Sequence, residues 1–229
     1  MPENIKKEIE ILLTKKSEKD IAAQLIKIND LFLTQYKLQI DDMEIIPIET
    51  EIYYLNEKQN FKDNMVHKYC RQKKHFGQLY FHRFPTRDSI NYGQGGVDIC
   101  ISDGEYYLSI LIRSAIINDT QILSGPHKIQ KKFYENSPSK KERILELEKK
   151  PNVLLKRDKY INTSNIFHQK RIESEDYKEG EIYKLNSLNL GEGYKYLDTF
   201  KQNFYSNSRK QKIKEEFKQG ANYGKESNK

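Results

Sequence analysis

One stretch limits the fold more than any other, because it has the strongest strand pattern in the chain: residues 106–115, Y-Y-L-S-I-L-I-R-S-A. A second strand pattern, V-D-I-C-I-S at residues 97–102, precedes it, and the dipeptide D-G at residues 103–104 lies between the two. Asp-Gly between two strand patterns predicts an antiparallel hairpin. Arg113 is the one charged residue of the stronger strand, and a guanidinium that is buried needs a partner.

Another strand pattern, P-I-E-T-E-I-Y-Y-L at residues 47–55, carries two carboxylates. Side chains along a strand alternate between its two faces. The alternation predicts a mostly apolar face with Ile48, Thr50, Ile52 and Tyr54, and a polar face with Glu49, Glu51 and Tyr53. The polar face either meets solvent or forms the floor of a pocket, with a carboxylate beside an aromatic ring. This stretch alone leaves both interpretations open.

The other predicted elements are helices and short strands. Apolar residues at helical spacing predict helices over residues 3–15 and 18–33, and the second begins at Ser17 as its N-cap. The remaining pattern predicts two strands within 34–55 around Asp41 and Asp42, a strand at 77–83, a turn at 123–128 that opens a helix, a charged helix or linker at 140–150, and short strands and turns over 151–200.

This order lacks the regular alternation of strand and helix that is typical of a parallel sheet. It favours an α+β fold: a single domain around a mixed, mainly antiparallel β-sheet with flanking helices. We expect residues 1–16 to form a helical extension and residues 17–204 to form the domain. Residues 205–229 are rich in Lys, Gln, Asn and Ser, which predicts a basic polar tail that is disordered or a frayed helix.

Composition does not decide the class of partner. The chain has 229 residues and a net charge of +7, which suits a polyanionic partner, but a biased composition rich in Lys, Asn and Ile produces the same charge. Cys70 and Cys100 form neither a disulfide framework nor a C-x-x-C pair, so no metal or other cofactor is expected. No apolar run reaches the length of a membrane span. We expect a soluble, cytoplasmic monomer without membrane contact.

Five short motifs follow one another along the chain: I-E-T-E-I-Y at residues 48–53, His67, L-Y-F-H-R at 79–83, L-I-R-S-A at 111–115 and S-G-P-H-K at 124–128. In this order and approximate spacing they resemble the alkyladenine DNA glycosylases, also called 3-methyladenine DNA glycosylases. The resemblance covers about residues 17–200 and implies that family's fold for the domain at residues 17–204.

The resemblance also implies roles for single residues. Glu51, the second Glu of E-T-E, matches the family's water-activating carboxylate, and Arg113 matches an arginine beside that water. The residues that it implies in base binding are Tyr53, His67, Tyr80 or Phe81, and Asp98. Those that it implies on the DNA-facing side are His82, Arg83, Arg87, Gly125, Pro126 and Lys128.

Asp98 departs from the family pattern, which has an Asn at this place. If Asp98 lines the base pocket, its carboxylate favours cationic or amine-bearing bases such as alkylated purines, because an ionised Asp is only an acceptor. The alternative is that Asp98 forms a structural ion pair with Arg83, Arg87 or Arg113.

These roles predict a DNA glycosylase of base excision repair that acts on a damaged or modified base in double-stranded DNA. The base must be extruded, aromatic rings replace its stacking, and a carboxylate takes a proton from the attacking water. No lysine matches a Schiff-base nucleophile, so hydrolysis without strand cleavage is expected. Two alternatives stay open: a non-catalytic nucleic-acid-binding protein of the same fold, and a glycosylase directed at modified bases of foreign DNA.

Overall fold

A computed structural model describes residues 2–63, 65–67, 72–73, 77–82, 95–150, 153–157, 166–170 and 185–189. The helices among them are α1 (Glu3–Thr14), α2 (Glu18–Gln35), α3 (Pro126–Lys132) and α4 (Lys140–Leu147), with a short 3-10 helix at Glu57–Gln59. The strands are β1 (Tyr36–Ile40), β2 (Met43–Leu55), β3 (Leu79–Phe81), β4 (Val97–Cys100), β5 (Tyr107–Ile117), β6 (Gln121–Ser124), β7 (Leu154–Lys156), β8 (Ile166–Lys170) and β9 (Leu185–Asn189).

These strands form one sheet in the order β3-β4-β5-β2-β1-β7. Strand β6 also pairs with β5, and β9 pairs with both β2 and β8. Every pairing among the described strands is antiparallel, whereas the sequence predicted a mixed, mainly antiparallel sheet. Helices and an antiparallel sheet in one unit make the chain an α+β protein. Among the described helices, none combines the length and the apolar character that crossing a bilayer requires.

Local signals in the sequence explain where the first elements begin and end. Helix α2 starts after Ser17, whose hydroxyl accepts a hydrogen bond from the backbone N–H of Asp20 at 3.1 Å, as predicted for an N-cap. The hairpin of β1 and β2 turns at Asp41, which has a φ of 55°. Asp tolerates this left-handed conformation better than most residues with a side chain. The predicted hairpin of β4 and β5 is confirmed.

Helices α1 and α2 cover one face of the sheet. Ile5, Ile9 and Leu12 of α1 belong to the same hydrophobic core as the apolar residues of α2 and of the strands. On α2, the buried side chain of Asn29 accepts a hydrogen bond at 3.0 Å from the hydroxyl of Thr50 on β2. The predicted boundary after residue 16 therefore does not separate two packing units.

A β-bulge in the central pair β2–β5 changes the predicted alternation. The register shifts between Pro47 and Glu49 and again between Glu49 and Thr50. Ile48 packs with Ile46 and two isoleucines of β5 and β6, apart from the core that holds Ile52 and Tyr54. The prediction that Ile48 shares the face of Ile52 is therefore wrong, because a bulge moves the following residues to the opposite face. Thr50, Ile52 and Tyr54 do face the core.

The packing of α1 predicts different effects for two neighbouring leucines. Leu12 is 0% exposed and Leu13 is 38% exposed. We expect Leu12→Ala to lower the free energy of unfolding by about 2–5 kcal/mol, because it leaves a cavity in the core. Leu13→Ala, the matched control, should change it by less than about 1 kcal/mol. Urea denaturation measures both values. Equal effects would show that α1 does not pack as described.

Candidate active site

The polar residues of β2 surround the guanidinium of Arg113 on β5. Arg113 Nη1 donates a hydrogen bond to Glu51 Oε1. Its Nε lies 3.3 Å from Glu49 Oε1, within ion-pair distance, although the N–H is not aligned for a hydrogen bond. The bulge makes this possible, because it brings Arg113 and its neighbour Ser114 to the same side as the two carboxylates.

Two hydroxyl groups complete the carboxylate cluster. Tyr53 donates to Glu51 Oε2 at 2.7 Å, and Ser114 donates to Glu49 Oε2 at 2.6 Å. Glu49 and Glu51 are each only 5% exposed. The interpretation that this strand face meets solvent is therefore wrong. The face is a buried polar floor on a rigid pair of strands.

The charges of this cluster depend on each other. Burial alone would lower the pKa of Arg113, but the negative charges of Glu51 and Glu49 outweigh it and raise the pKa above the usual arginine value. Arg113 therefore keeps its charge at any pH at which the protein would be studied. A permanent cation balances two buried carboxylates that would otherwise repel each other.

A second polar cluster lies two strands away, around Asp98 on β4. Asp98 is 0% exposed, and its Oδ1 accepts a hydrogen bond from His82 Nε2 at 2.5 Å. Its Oδ2 accepts from the hydroxyl of Ser109 at 2.7 Å and from the amide of Gln72 at 3.4 Å. The rings of His82 and His67 meet at nearly right angles, with their centroids 4.3 Å apart.

Strand register joins the two clusters. Glu51 is the cross-strand partner of Leu111, Leu111 is the partner of Asp98, and Asp98 is the partner of Tyr80. Directly paired residues of antiparallel strands point to the same face. Glu51, Leu111, Asp98 and Tyr80 therefore form one row across four strands, which we call the cross-strand row. Successive strands lie about 4.8 Å apart, so Glu51 and Asp98 are separated by about 10 Å at the backbone.

Most of the predicted base-binding residues that the structure describes lie near this row. Tyr80 belongs to it, and the Tyr80 hydroxyl lies 3.3 Å from His67 Nδ1. Tyr53 is buried beside Leu111. Phe81 is a correction: its side chain lies in the core on the other face and meets Phe133 edge-on, because neighbours in a strand point to opposite faces.

Asp98 is a second correction. Its predicted place in the base pocket does not match the contacts, because its carboxylate is fully buried and bonded to His82, Ser109 and Gln72. It therefore touches no base directly in this arrangement. Arg113 pairs with the two glutamates of β2 instead. Arg83 and Arg87, its other predicted partners and predicted DNA contacts, lie outside the described residues.

The turn before α3 lies next to the site. The backbone N–H of Gly125 donates to the carbonyl oxygen of Arg113 at 2.8 Å. Gly125 has a φ of 106°, which a residue with a side chain rarely adopts. Pro126 follows as the first residue of α3, and Lys128 is exposed on that helix. These three predicted DNA-side residues are therefore anchored to the strand that carries Arg113.

The sequence interpretation missed three residues of the site: Gln72, Ser109 and Ser114. A signal for the serines exists, because they are the two serines of a strand that is apolar apart from Tyr107 and Arg113, and they lie on either side of Arg113. A buried hydroxyl requires a hydrogen-bond partner, which points to a polar group opposite. Gln72 lies in a polar stretch of the chain and carries no such signal.

Other parts of the described structure offer weaker candidates. Within the described ranges, no three His, Cys, Asp or Glu side chains are placed to hold a metal ion, and Cys100 is a buried free thiol. A cavity of about 600 Å³ lies at the β1–β2 turn and is lined by Asp41, Arg143 and Glu146, among others. Arg143 pairs with both of these carboxylates, so these three charged groups already have partners within the protein.

No model of a known protein family matches the chain, and no curated protein is similar enough to count as a match. The likeness to the alkyladenine DNA glycosylases therefore remains one of short motifs.

The carboxylate cluster predicts a loss of stability when its cation is removed. Arg113→Gln leaves two buried carboxylates without a counter-charge, and should lower the free energy of unfolding by about 3–5 kcal/mol near neutral pH. In the unaltered protein the raised pKa of Arg113 keeps this counter-charge in place.

Arg143→Gln is the matched control, because its ion pairs with Asp41 and Glu146 lie closer to the surface. Arg143→Gln should lower the free energy of unfolding by at most about 1 kcal/mol. Urea denaturation at neutral pH measures both variants. Equal losses for Arg113→Gln and Arg143→Gln would contradict the described ion cluster.

Proposed function

We propose that the protein is a monofunctional DNA glycosylase, which extrudes a damaged or modified base, with an alkylated purine as the expected class, and hydrolyses its N-glycosidic bond. The observation that carries the proposal is the cross-strand row. At one end of the row an acidic group is bonded to an arginine, and at the other end lies the ring of Tyr80, against which the imidazoles of His67 and His82 pack. Polar residues that are buried together on rigid strands at this density are typical of a catalytic centre.

Glu51 is the group that activates water in this proposal. Its oxygens accept one hydrogen bond each, from Arg113 and from Tyr53, and a carboxylate has about four lone-pair positions. Acceptor capacity therefore remains for a water molecule. The water adds to C1′ as the bond to the base breaks, and the negative charge of Glu51 stabilises the cationic character of C1′.

Base recognition falls to the rings at the other end of the row. An extruded base loses its stacking in the duplex, and an aromatic contact restores about 1–3 kcal/mol. His67, which is half-buried, is the ring that we assign to this contact. Tyr80 is 0% exposed and supports the imidazole from behind, with its ring centroid 6.1 Å away and its plane inclined at 73°.

The exposed side of α3 is the DNA contact in this proposal. Lys128 supplies a positive charge close to the turn that is bonded to Arg113. A lysine at this place neutralises a phosphate and releases its counterion, so that binding weakens as the salt concentration rises.

The proposal predicts different effects for the two glutamates of β2. Glu51→Gln keeps the shape of the side chain but removes the base, and should slow base release by at least about 10²-fold. Glu49→Gln should slow it by less than about 10-fold, because Glu49 bonds to Ser114 and does not belong to the cross-strand row. Single-turnover assays on duplexes that contain modified bases measure both rates, and binding of these duplexes should be retained. If Glu49→Gln had the larger effect, the assignment of Glu51 would be wrong.

The proposed DNA contact predicts a steep dependence of affinity on salt. Affinity for duplex DNA should fall strongly between about 50 and 200 mM salt, and Lys128→Ala should reduce the slope of log affinity against log salt by about 1. Lys6→Ala is the control, because Lys6 is exposed on α1, which contributes no residue to the candidate site. Fluorescence anisotropy measures both slopes. A flat response would argue against a DNA role, while binding without base release would favour the non-catalytic alternative.

A further inference from the structure

A short segment between β2 and β3 covers the face of the sheet that carries the cross-strand row. Val66 belongs to the same buried apolar cluster as Leu111, and the ring of His67 packs against the ring of Tyr80 with the centroids 6.1 Å apart. Met65 comes directly before these two residues, and 42% of it is exposed. The segment therefore buries one apolar residue over the row and presents the next one to solvent.

The backbone of Met65 is held from below. Its N–H donates a hydrogen bond to Asp63 Oδ1 at 3.0 Å, and the N–H of Val66 donates to the carbonyl oxygen of Asp63 at 3.2 Å. Asp63 itself is only 1% exposed, so this turn is anchored in the protein. The side chain of Met65 is unbranched and adapts its shape to what it meets. Met65 thus combines a fixed backbone with an adaptable apolar tip.

The location of Met65 separates it from the other exposed apolar residues. Among the described residues, the large apolar side chains with comparable exposure are Leu13 on α1, Leu145 on α4 and Leu155 on β7. None of these three elements carries a residue of the candidate site. A single exposed apolar side chain is ordinary on a protein surface. An exposed apolar side chain two residues before His67, the ring assigned to the extruded base, has a use in the proposed reaction.

We propose that Met65 is a wedge, a side chain that enters the duplex and fills the space that the extruded base leaves. This inference rests on the proposed glycosylase function and adds a DNA-contacting residue to the same site. Extrusion leaves the neighbouring bases without a stacking partner, which opposes it. Apolar side chains, methionine among them, insert between base steps in other proteins that distort DNA. Met65 would therefore favour the extruded state and take no part in breaking the bond.

The distance between Met65 and His67 fits this division of labour. The two residues are separated by one position, so their Cα atoms lie at most about 7 Å apart. An extruded base stays attached to its sugar, so the space it leaves and the pocket that it enters belong to one nucleotide. A base that stacks on His67 therefore leaves its gap close to Met65.

The strandedness of the substrate tests this inference. Met65→Ala should slow base release from duplex DNA by at least about 10-fold, but release of the same base from a single strand by less than about 3-fold, because a single strand has no base-paired stack to open. Met65→Leu keeps the apolar bulk and should stay within about 3-fold of the unaltered protein on both substrates. Single-turnover assays measure these rates.

Leu155→Ala is the matched control, because Leu155 is 44% exposed and lies on β7, at the opposite end of the sheet order from β3. It should change neither rate. Urea denaturation checks the fold of Met65→Ala, which should unfold at the same urea concentration as the unaltered protein, since the side chain is exposed. Equal losses of Met65→Ala on duplex and single strand would overturn the wedge and make Met65 part of the rim of the base pocket.

A second measurement does not depend on base release. A duplex that carries the fluorescent base 2-aminopurine in place of the modified base becomes brighter when that base leaves the stack. At saturating protein, Met65→Ala should give a smaller rise in fluorescence than the unaltered protein, and Leu155→Ala should give the same rise. An equal rise for Met65→Ala and the unaltered protein would contradict the wedge.

The two proposals fail in different ways. If the unaltered protein releases modified bases and Met65→Ala does so equally fast from duplex DNA, the wedge is wrong and the glycosylase proposal stands. If the unaltered protein brightens the 2-aminopurine duplex but releases no base, the glycosylase proposal fails, and the fluorescence of Met65→Ala decides on the wedge. If it neither brightens the duplex nor releases a base, both proposals fail.

Discussion

The buried ion cluster of Arg113 with Glu49 and Glu51 is the constraint on which the rest of the site depends. Bringing three charges out of water is costly, and only close contact and further hydrogen bonds offset that cost. The bulge between β2 and β5 supplies the contact, because it brings the arginine and both carboxylates to one face. Hydroxyl groups from Tyr53 and Ser114 supply the remaining bonds. A β2–β5 pair without the bulge would not bring all of these groups to one face.

From this cluster the site extends by strand register. Backbone pairing fixes Leu111 beside Glu51, Asp98 beside Leu111 and Tyr80 beside Asp98. Side chains held on paired strands keep their separations better than side chains on loops do. The turn at Gly125 is bonded to the same strand as the arginine, so the proposed DNA contact is tied to the proposed chemistry. A shift in the β2–β5 register would therefore disturb binding and chemistry together.

The sequence predicted the features that depend on neighbours along the chain. Asp-Gly between two strand patterns predicted the hairpin of β4 and β5, and Ser17 predicted the start of α2, because turns and caps are decided by a few adjacent residues. The pairing of Glu49, Glu51 and Tyr53 on one face followed from strand alternation. Alternation failed at Ile48, where the bulge intervenes, since nothing in the local pattern marks an irregularity that two strands create together.

Contacts between residues that are far apart in the chain set the second limit on what the sequence could predict. The sequence drew attention to Asp98, but not to its bond with His82, which is made only after β3 and β4 pair. Gln72 reaches Asp98 from a polar stretch without a recognisable pattern. Tyr80 and Phe81 were equivalent in sequence and are equally buried, and only the orientation of β3 places Phe81 in the hydrophobic core and Tyr80 on the face of the site.

The most direct test of the central claim is mass spectrometry of the small molecules released from duplex DNA that contains alkylated, deaminated or otherwise modified bases. With the unaltered protein, the account predicts a free base with the mass of one intact modified base, together with an abasic site in an unbroken strand. Cleaved strands as the immediate product would contradict hydrolysis by an activated water. Retention of every base in the panel, with the DNA bound, would contradict the glycosylase proposal itself.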